Sequence, residues 1–173
     1  TRYVFGKVGE DILPVLDRSP DSFVRAHLYL ALGLSSKPCG LKELRERIEK
    51  ETDRDARLSA KAATVRLGGE TERKELAERV RRATPEEAER LGDLLVYVGD
   101  PRPARGLLSW LANERVVYVL DPHVDPREVR MCDLAADVAI RLRILSSPTP
   151  EEFGSDTLEF RSRVAVALQR LGE

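Results

Sequence analysis

The chain has 173 residues, of which 34% are charged and 5% are aromatic, and its 29 Lys and Arg against 30 Asp and Glu give a formal net charge of -1. This balance excludes a strong overall field for nucleic acid or an anionic membrane, and the low aromatic content argues against a mostly β fold. Cys39 and Cys132 stand alone without CxxC spacing, so we predict neither a zinc site nor a disulfide framework.

Two features, a signal peptide and a membrane span, are not visible in this sequence. It contains no signal peptide and no apolar run approaching the roughly 20 residues that span a bilayer. We therefore expect a cytoplasmic protein without a membrane span. Thr1 stands in place of Met, and we expect the sequence to be a trimmed or excised piece of a longer chain.

Apolar periodicity predicts helices along almost the whole chain. The predicted spans are 9–17, 21–34, 40–51, 53–67, 71–83, 85–98, 102–113, 126–144 and 157–171. Capping residues before proline indicate helix starts, and glycines indicate helix ends. The starts are Ser19-Pro20, Thr84-Pro85 and Asp125-Pro126, and the ends are Gly33, Gly68-Gly69 and Gly99.

Some local features leave alternatives open. Pro14 would kink the first helix or mark a later start. Residues 115–120 continue a helix or form a strand, and we favour the helix. Thr84 and Glu87 have the spacing of a capping box. Residues 146–150, with two prolines, form the clearest break in the pattern.

A short pattern recurs on these helices: an apolar residue, an Arg directly after it, and a small residue six positions after that Arg. The apolar anchors are Val24, Ala56, Val129 and Phe160, with a degenerate copy at Ala88 where Glu89 replaces the Arg. Three of the four intervals between anchors are 31 or 32 residues, and the interval from Ala88 to Val129 is 41. This spacing is typical of helix-turn-helix units, with an insertion before the fourth anchor.

The pattern resembles the second helix of HEAT repeats, in particular the short bacterial HEAT-like units that also occur in phycobilin lyases. The resemblance implies an all-α, right-handed α-solenoid of about four to five stacked antiparallel helix pairs, as one domain over residues 1–173. It also implies that the motif arginines join neighbouring units through carboxylates and backbone carbonyls. The residues of this structural ladder are Arg25, Arg57, Arg130 and Arg161, with Asp21 and Asp53 one turn before the first two.

The shared small-residue position is occupied by Ala31, Ala63 and Ala167. We expect tight helix contacts at these three alanines.

The candidate binding residues lie around Trp110, the only tryptophan, which Arg102, Arg105 and Arg115 flank. A tryptophan among arginines can stack on a base or on a partner's cation. Within a leucine-rich stretch it is more typical of a core residue, and we favour the core. The arginines of residues 73–82 are balanced by glutamates and predict a solvated helix face.

The two histidines are treated separately. His27 lies on a helix with apolar faces and is predicted to be a core histidine. His123 alternates with Asp121 and Asp125 inside the insertion, where it is a candidate binding residue. These three residues could offer ligands to a divalent metal, but the prolines of the segment favour a stiff turn with Asp125 as a helix cap. We predict no metal and no cofactor.

No phosphate-binding loop, zinc-protease or serine-hydrolase motif occurs, so we name no catalytic residue and favour a protein that is not an enzyme. The leading hypothesis is a scaffold or adaptor that binds a protein partner through a concave helical face. The alternatives that the resemblance implies are a HEAT-like nucleic-acid-binding or DNA-glycosylase-like protein, which the neutral charge disfavours, and a lyase or chromophore-handling protein.

Overall fold

The computed structural model describes residues 5–35, 41–120, 127–145 and 157–171. This part of the chain is mostly helical, as predicted. Its α-helices are α1 Phe5–Arg18, α2 Ser22–Leu34, α3 Leu41–Lys50, α4 Arg54–Arg66, α5 Glu70–Arg81, α6 Pro85–Val98, α7 Leu108–Leu111, α8 Met131–Arg141 and α9 Thr157–Arg170. A 3₁₀ helix, Arg102–Leu107, leads directly into α7, and the strands are β1 Val116–Leu120 and β2 Arg127–Arg130.

Residue contacts divide the chain into two compact units, Thr1–Lys74 and Glu75–Glu173, and the boundary falls within α5. We refer to them as the first and the second unit. The HEAT-like domain over residues 1–173 stays a prediction.

The first unit is built around the packing of α2 against α4, its most extensive helix contact, with α1 against α2 and α3 against α4. Small residues let the helices approach closely, because α4 buries Ala56, Ser59, Ala60 and Ala63 completely. Larger apolar side chains fill the surrounding core. They include Leu16, Tyr29, Leu32 and Leu44.

The second unit packs α6 and α7 against α8, and α7 and α8 against α9. A Cβ added at Gly92 on α6 would lie 2.9 Å from Cγ2 of Val138 on α8, so the missing side chain permits this close helix contact. The core also holds large side chains with almost no exposure. They are Trp110, Leu91, Leu94, Leu95, Leu107, Met131, Val164 and Leu168.

Two of the three helix starts that were predicted from a capping residue before proline differ from the structure. Helix α2 begins at Ser22 with Asp21 as its N-cap, so the start predicted at Ser19-Pro20 is wrong by two residues. Helix α8 begins at Met131 and not at residue 126, and Asp125-Pro126 lies outside the described residues. Pro14 lies inside α1 and marks no later start.

In two of the three predicted cases, a glycine follows the end of the helix. Gly68 and Gly99 have φ angles of 99° and 69°, and they follow α4 and α6 in the left-handed region that favours glycine. Gly33 is buried within α2, which ends one residue later with Ser35 as its C-cap. The prediction of a stop at Gly33 is therefore wrong.

The capping box predicted at Thr84 is absent. Thr84 precedes Pro85 at the N-cap of α6, as predicted, but its side chain makes no capping hydrogen bond. The Thr84 hydroxyl instead donates a hydrogen bond to the carboxylate of Glu86, which lowers the pKa of that carboxylate. Glu87 forms an ion pair with Arg79.

Residues 115–120 do not continue a helix, which corrects the interpretation favoured above. Val116–Leu120 form β1, which pairs antiparallel with β2. The register runs from Val116 opposite Arg130 to Leu120 opposite Arg127, with one extra residue, Val117, on β1. Three valines in this run favour the extended backbone because β-branched side chains are restricted in a helix.

The helix predicted over 102–113 is observed as two shorter helical segments of different types. Its first part is the 3₁₀ helix Arg102–Leu107, and α7 adds only Leu108–Leu111. Across the described ranges, no helix is both long enough and apolar enough to cross a membrane.

Candidate functional site

The motif arginine of α2 is held by a buried carboxylate. Arg25 Nε and Nη2 donate to Oε2 and Oε1 of Glu51, each at 2.9 Å. Its Nη1 donates to the carbonyl oxygens of Ser19 at 3.0 Å and Pro20 at 2.9 Å. The Glu51 side chain is only 4% exposed, and it follows α3 directly. This bidentate pair joins the first turn of α2 to the connection between α3 and α4.

Arg57, the motif arginine of α4, reaches the backbone of the same residue. Its Nε donates to the carbonyl oxygen of Glu51 at 2.8 Å, and its Nη2 contacts the same oxygen. The backbone N–H of Asp53 donates to Glu51 Oε1 at 3.1 Å. The hydrogen bond from Arg25 is the main reason that the pKa of Glu51 lies below its ordinary value, and burial opposes it.

Asp21 and Asp53 do not pair with the arginines one turn after them, which corrects the ladder at these two positions. Asp21 Oδ1 accepts from the backbone N–H groups of Phe23 at 2.8 Å and Val24 at 3.4 Å. Asp53 caps α4 in the same way. A short carboxylate at an N-cap satisfies amides that have no partner within the helix, and both aspartates serve that purpose.

The remaining ladder arginines are placed differently from the first two. Arg130 is the last residue of β2 and the N-cap of α8, so it is out of register with Arg25 and Arg57. It lies 3.3 Å from Glu128 and 3.8 Å from Glu114. Arg161 on α9 contacts Glu114 at 3.4 Å and Asp133 at 3.5 Å.

Trp110 is a core residue and not an exposed stacking platform. It is 1% exposed, and its Nε1 donates to the carbonyl oxygen of Val80 at 2.7 Å. Of the flanking arginines, Arg102 pairs with Asp100, with Nη2 2.9 Å from Oδ2. Arg105 and Arg115 are exposed. The binding residues predicted here therefore do not form a site around the indole.

The metal hypothesis rested on Asp121, His123 and Asp125, and all three lie outside the described residues. Within those ranges, no group of three or more His, Cys, Asp or Glu side chains is arranged to hold a metal ion. Cys132 is a buried free thiol whose pKa is raised, mainly by burial. Cys39 also lies outside the described ranges.

His27 is exposed, so the prediction of a core histidine is wrong. Its Nδ1 lies 2.8 Å from the carbonyl oxygen of Phe23. The two rings are tilted, with their centroids 4.3 Å apart. The side chains of residues four apart on a helix meet on one face, and here that face is open to solvent.

The outward side of α2 is apolar, which sequence reasoning missed. Phe23 is 70% exposed, Val24 40% and Leu34 47%. Positions 23, 27, 30 and 34 share a face at helical spacing, and Leu30 is half-buried. The α2 outer face, as we call this surface, consists of Phe23, Val24, His27, Leu30 and Leu34.

A signal for this face was present in the sequence. Among the 13 residues of α2, only Arg25 carries a formal charge. A helix that is apolar all round is normally covered on all sides, whereas here Ala26, Tyr29 and Leu32 are buried and the opposite side is exposed. The sequence prediction for α2 instead concerned the repeated Arg25, which lies on another side of the helix.

Comparison with known proteins found no matching family model, no similar curated protein and no similar solved structure.

Proposed function

We propose that this protein is a non-catalytic interaction module and that its α2 outer face binds an apolar helix of a protein partner. The observation that carries the proposal is the exposure of Phe23, at 70%, within a face that also offers Val24 and Leu34. Large apolar side chains exposed together on one helix are typical of surfaces that bind protein. An amphipathic partner helix fits because its own apolar stripe has the same spacing.

Such a contact would contribute substantially to the free energy of binding. Burying one large apolar side chain contributes roughly 1.5–3 kcal/mol, which corresponds to about 10- to 100-fold in affinity. Phe23 is held against the His27 ring, and Asp21 fixes the first turn of α2. This order lowers the entropy that binding would otherwise cost.

The HEAT-like solenoid with a concave binding face is part of the same proposal. Two links within the first unit support it, because each joins the helix pair α1–α2 to the next pair, α3–α4. Arg25 of the second helix reaches Glu51, just before the next pair's second helix. Arg47 on α3 donates to both carboxylate oxygens of Asp17 on α1, at 3.0 Å each.

The experiment compares proteins captured from a lysate of the source organism by three forms of the immobilised chain. They are the wild type, the double variant Phe23→Ser with Leu34→Ser, and a matched control, Val15→Ser with Val166→Ser. Val15 and Val166 are 53% and 47% exposed and lie outside the α2 outer face. Circular dichroism and melting curves verify folding, since substitutions at such exposed positions change stability by only about 0.5 kcal/mol.

We expect a partner that the wild type and the control retain and that the Phe23, Leu34 variant loses by about 10-fold or more. Calorimetry with that purified partner should give a negative heat-capacity change on binding. Equal recovery by all three forms would contradict the proposal. So would recovery that nuclease treatment abolishes, because the captured ligand would then be nucleic acid.

A further inference from the structure

The β1–β2 ribbon has one edge without protection against pairing. None of the five residues of β1 is charged or proline, whereas three of the four residues of β2 are charged. Charged residues on an edge strand oppose pairing with another strand. Among the described residues, no backbone hydrogen bond joins β1 to any segment except β2, so within this part of the chain the ladder groups on the outer edge of β1 have no partner.

The side chains of β1 divide between two environments. Tyr118 is half-buried, and burial raises its pKa first, followed by the charges of Glu89, Asp137 and Asp93 on α6 and α8. Val119, the next residue, is 42% exposed, as expected for a side chain on the opposite face of a strand. Helix α6 therefore packs against β1, whereas the side chain of Val119 is open to solvent.

We propose that the outer edge of β1 pairs antiparallel with β1 of a second copy of this chain, joining two ribbons into one four-stranded sheet. A two-stranded ribbon is marginal alone, and further strands stabilise it. The pairing involves residues 118–120, because the extra residue at Val117 interrupts the regular ladder before them. It is centred on Val119, which faces its own symmetry mate across a two-fold axis.

Charge selects this pairing over its alternatives. Two β1 strands bring only uncharged residues together. Pairing β2 with itself would place arginine opposite arginine at both ends of the four-residue strand, which is destabilising. A second copy also matches the apolar spacing of β1 by symmetry, which an unrelated peptide would have to supply separately. The pairing uses no residue of the α2 outer face and does not depend on the function proposed above.

Sedimentation velocity on the full chain, from about 1 µM to about 500 µM, tests the pairing over the range in which small interfaces dissociate. We expect a reversible monomer–dimer equilibrium in the wild type. Val119→Lys places two like charges at the centre of the interface and should raise the dimer dissociation constant at least about 10-fold. Val166→Lys is the matched control, because Val166 is a valine of similar exposure, 47%, on α9, and it should dimerise like the wild type.

Hydrogen exchange locates the interface. Amides within residues 118–120 should gain protection with rising concentration in the wild type and not in Val119→Lys. A wild-type chain that stays monomeric throughout would overturn the proposal. So would a dimer that survives Val119→Lys with unchanged affinity, or one that Phe23→Ser disrupts while Val119→Lys does not.

Discussion

Glu51 accepts hydrogen bonds from Arg25 through its carboxylate and from Arg57 through its carbonyl oxygen. The carboxylate is almost fully buried, so removing its charge leaves part of the Arg25 guanidinium without a partner. An unsatisfied buried polar group costs more than the intact hydrogen bond contributes. The hydrogen bonds that hold Arg25 and Arg57 in the first unit therefore depend on Glu51.

We therefore expect Glu51→Gln to destabilise the protein by about 1–3 kcal/mol. Chemical denaturation monitored by circular dichroism measures the change. Glu78→Gln serves as the control, because Glu78 forms comparable pairs with Arg81 and Arg82 at a solvent-exposed position, and such pairs contribute little. Equal stability of both variants and the wild type would contradict the structural role of Glu51.

Trp110 combines a large apolar side chain with one hydrogen bond to Val80. Trp110→Ala should cost about 3–5 kcal/mol because it opens a cavity in the second unit. Trp110→Phe should cost less, since it keeps most of the buried area and loses the indole N–H. Thermal melts of both variants measure the order of stabilities, and an unaffected Trp110→Ala melt would show that the indole is not a core residue.

At the scale of elements, the sequence predicted most helices within two residues of their observed ends, including α2, α4, α6 and α9. Their amphipathic periodicity and caps are local signals, which a single sequence contains. For residues 115–120 the helix was favoured over the strand because a short apolar run fits a strand or a buried helix equally well, and the partner strand β2 begins only at Arg127. The pairing decides between them, and pairing is not local.

The candidate site was less predictable than the helices. The core position of Trp110 followed from its leucine-rich surroundings. The exposure of Phe23 and His27 did not, because periodicity shows which residues share a face and not which face is covered. Arg130 fits the repeat pattern in the sequence, but in the structure it ends strand β2 and does not lie in the first turn of a helix.

Two alanines that the repeat pattern treats as equivalent, Ala31 on α2 and Ala63 on α4, differ in burial. Ala63 is fully buried in the core of the first unit, whereas Ala31 is half-buried. Ala63→Leu should overpack the interface and cost about 1–3 kcal/mol, and Ala31→Leu should cost clearly less because its side chain can extend toward solvent. Denaturant titration of the two variants compares them, and equal losses would argue against the packing described here.

At the scale of the whole molecule, the two units differ in how their carboxylates are held. In the first unit, Glu51 and Glu72 have side chains that are 4% and 8% exposed, and each pairs with an arginine. The main cause of each lowered pKa is the hydrogen bond from that arginine. In the second unit, the pKa values of Glu78 and Glu86 are also lowered, mainly by hydrogen bonds from Arg81 and Thr84 respectively. Both carboxylates lie toward solvent, where such interactions contribute little.

These differences predict that acid destabilises the first unit before the second. A carboxylate whose pKa is lower in the folded state stabilises the fold above its unfolded pKa, and this stabilisation is lost as the pH falls from roughly 4 through the folded value. Hydrogen exchange between about pH 6 and about pH 3, corrected for the intrinsic exchange rate, should show α2 and α4 losing protection at higher pH than α6 and α8. Glu51→Gln should flatten the acid response of the first unit, because its neutral amide has no proton to gain. If α6 and α8 lost protection first, or if Glu51→Gln left the acid profile of α2 and α4 unchanged, the arginine-bound carboxylates would not be the source of acid sensitivity.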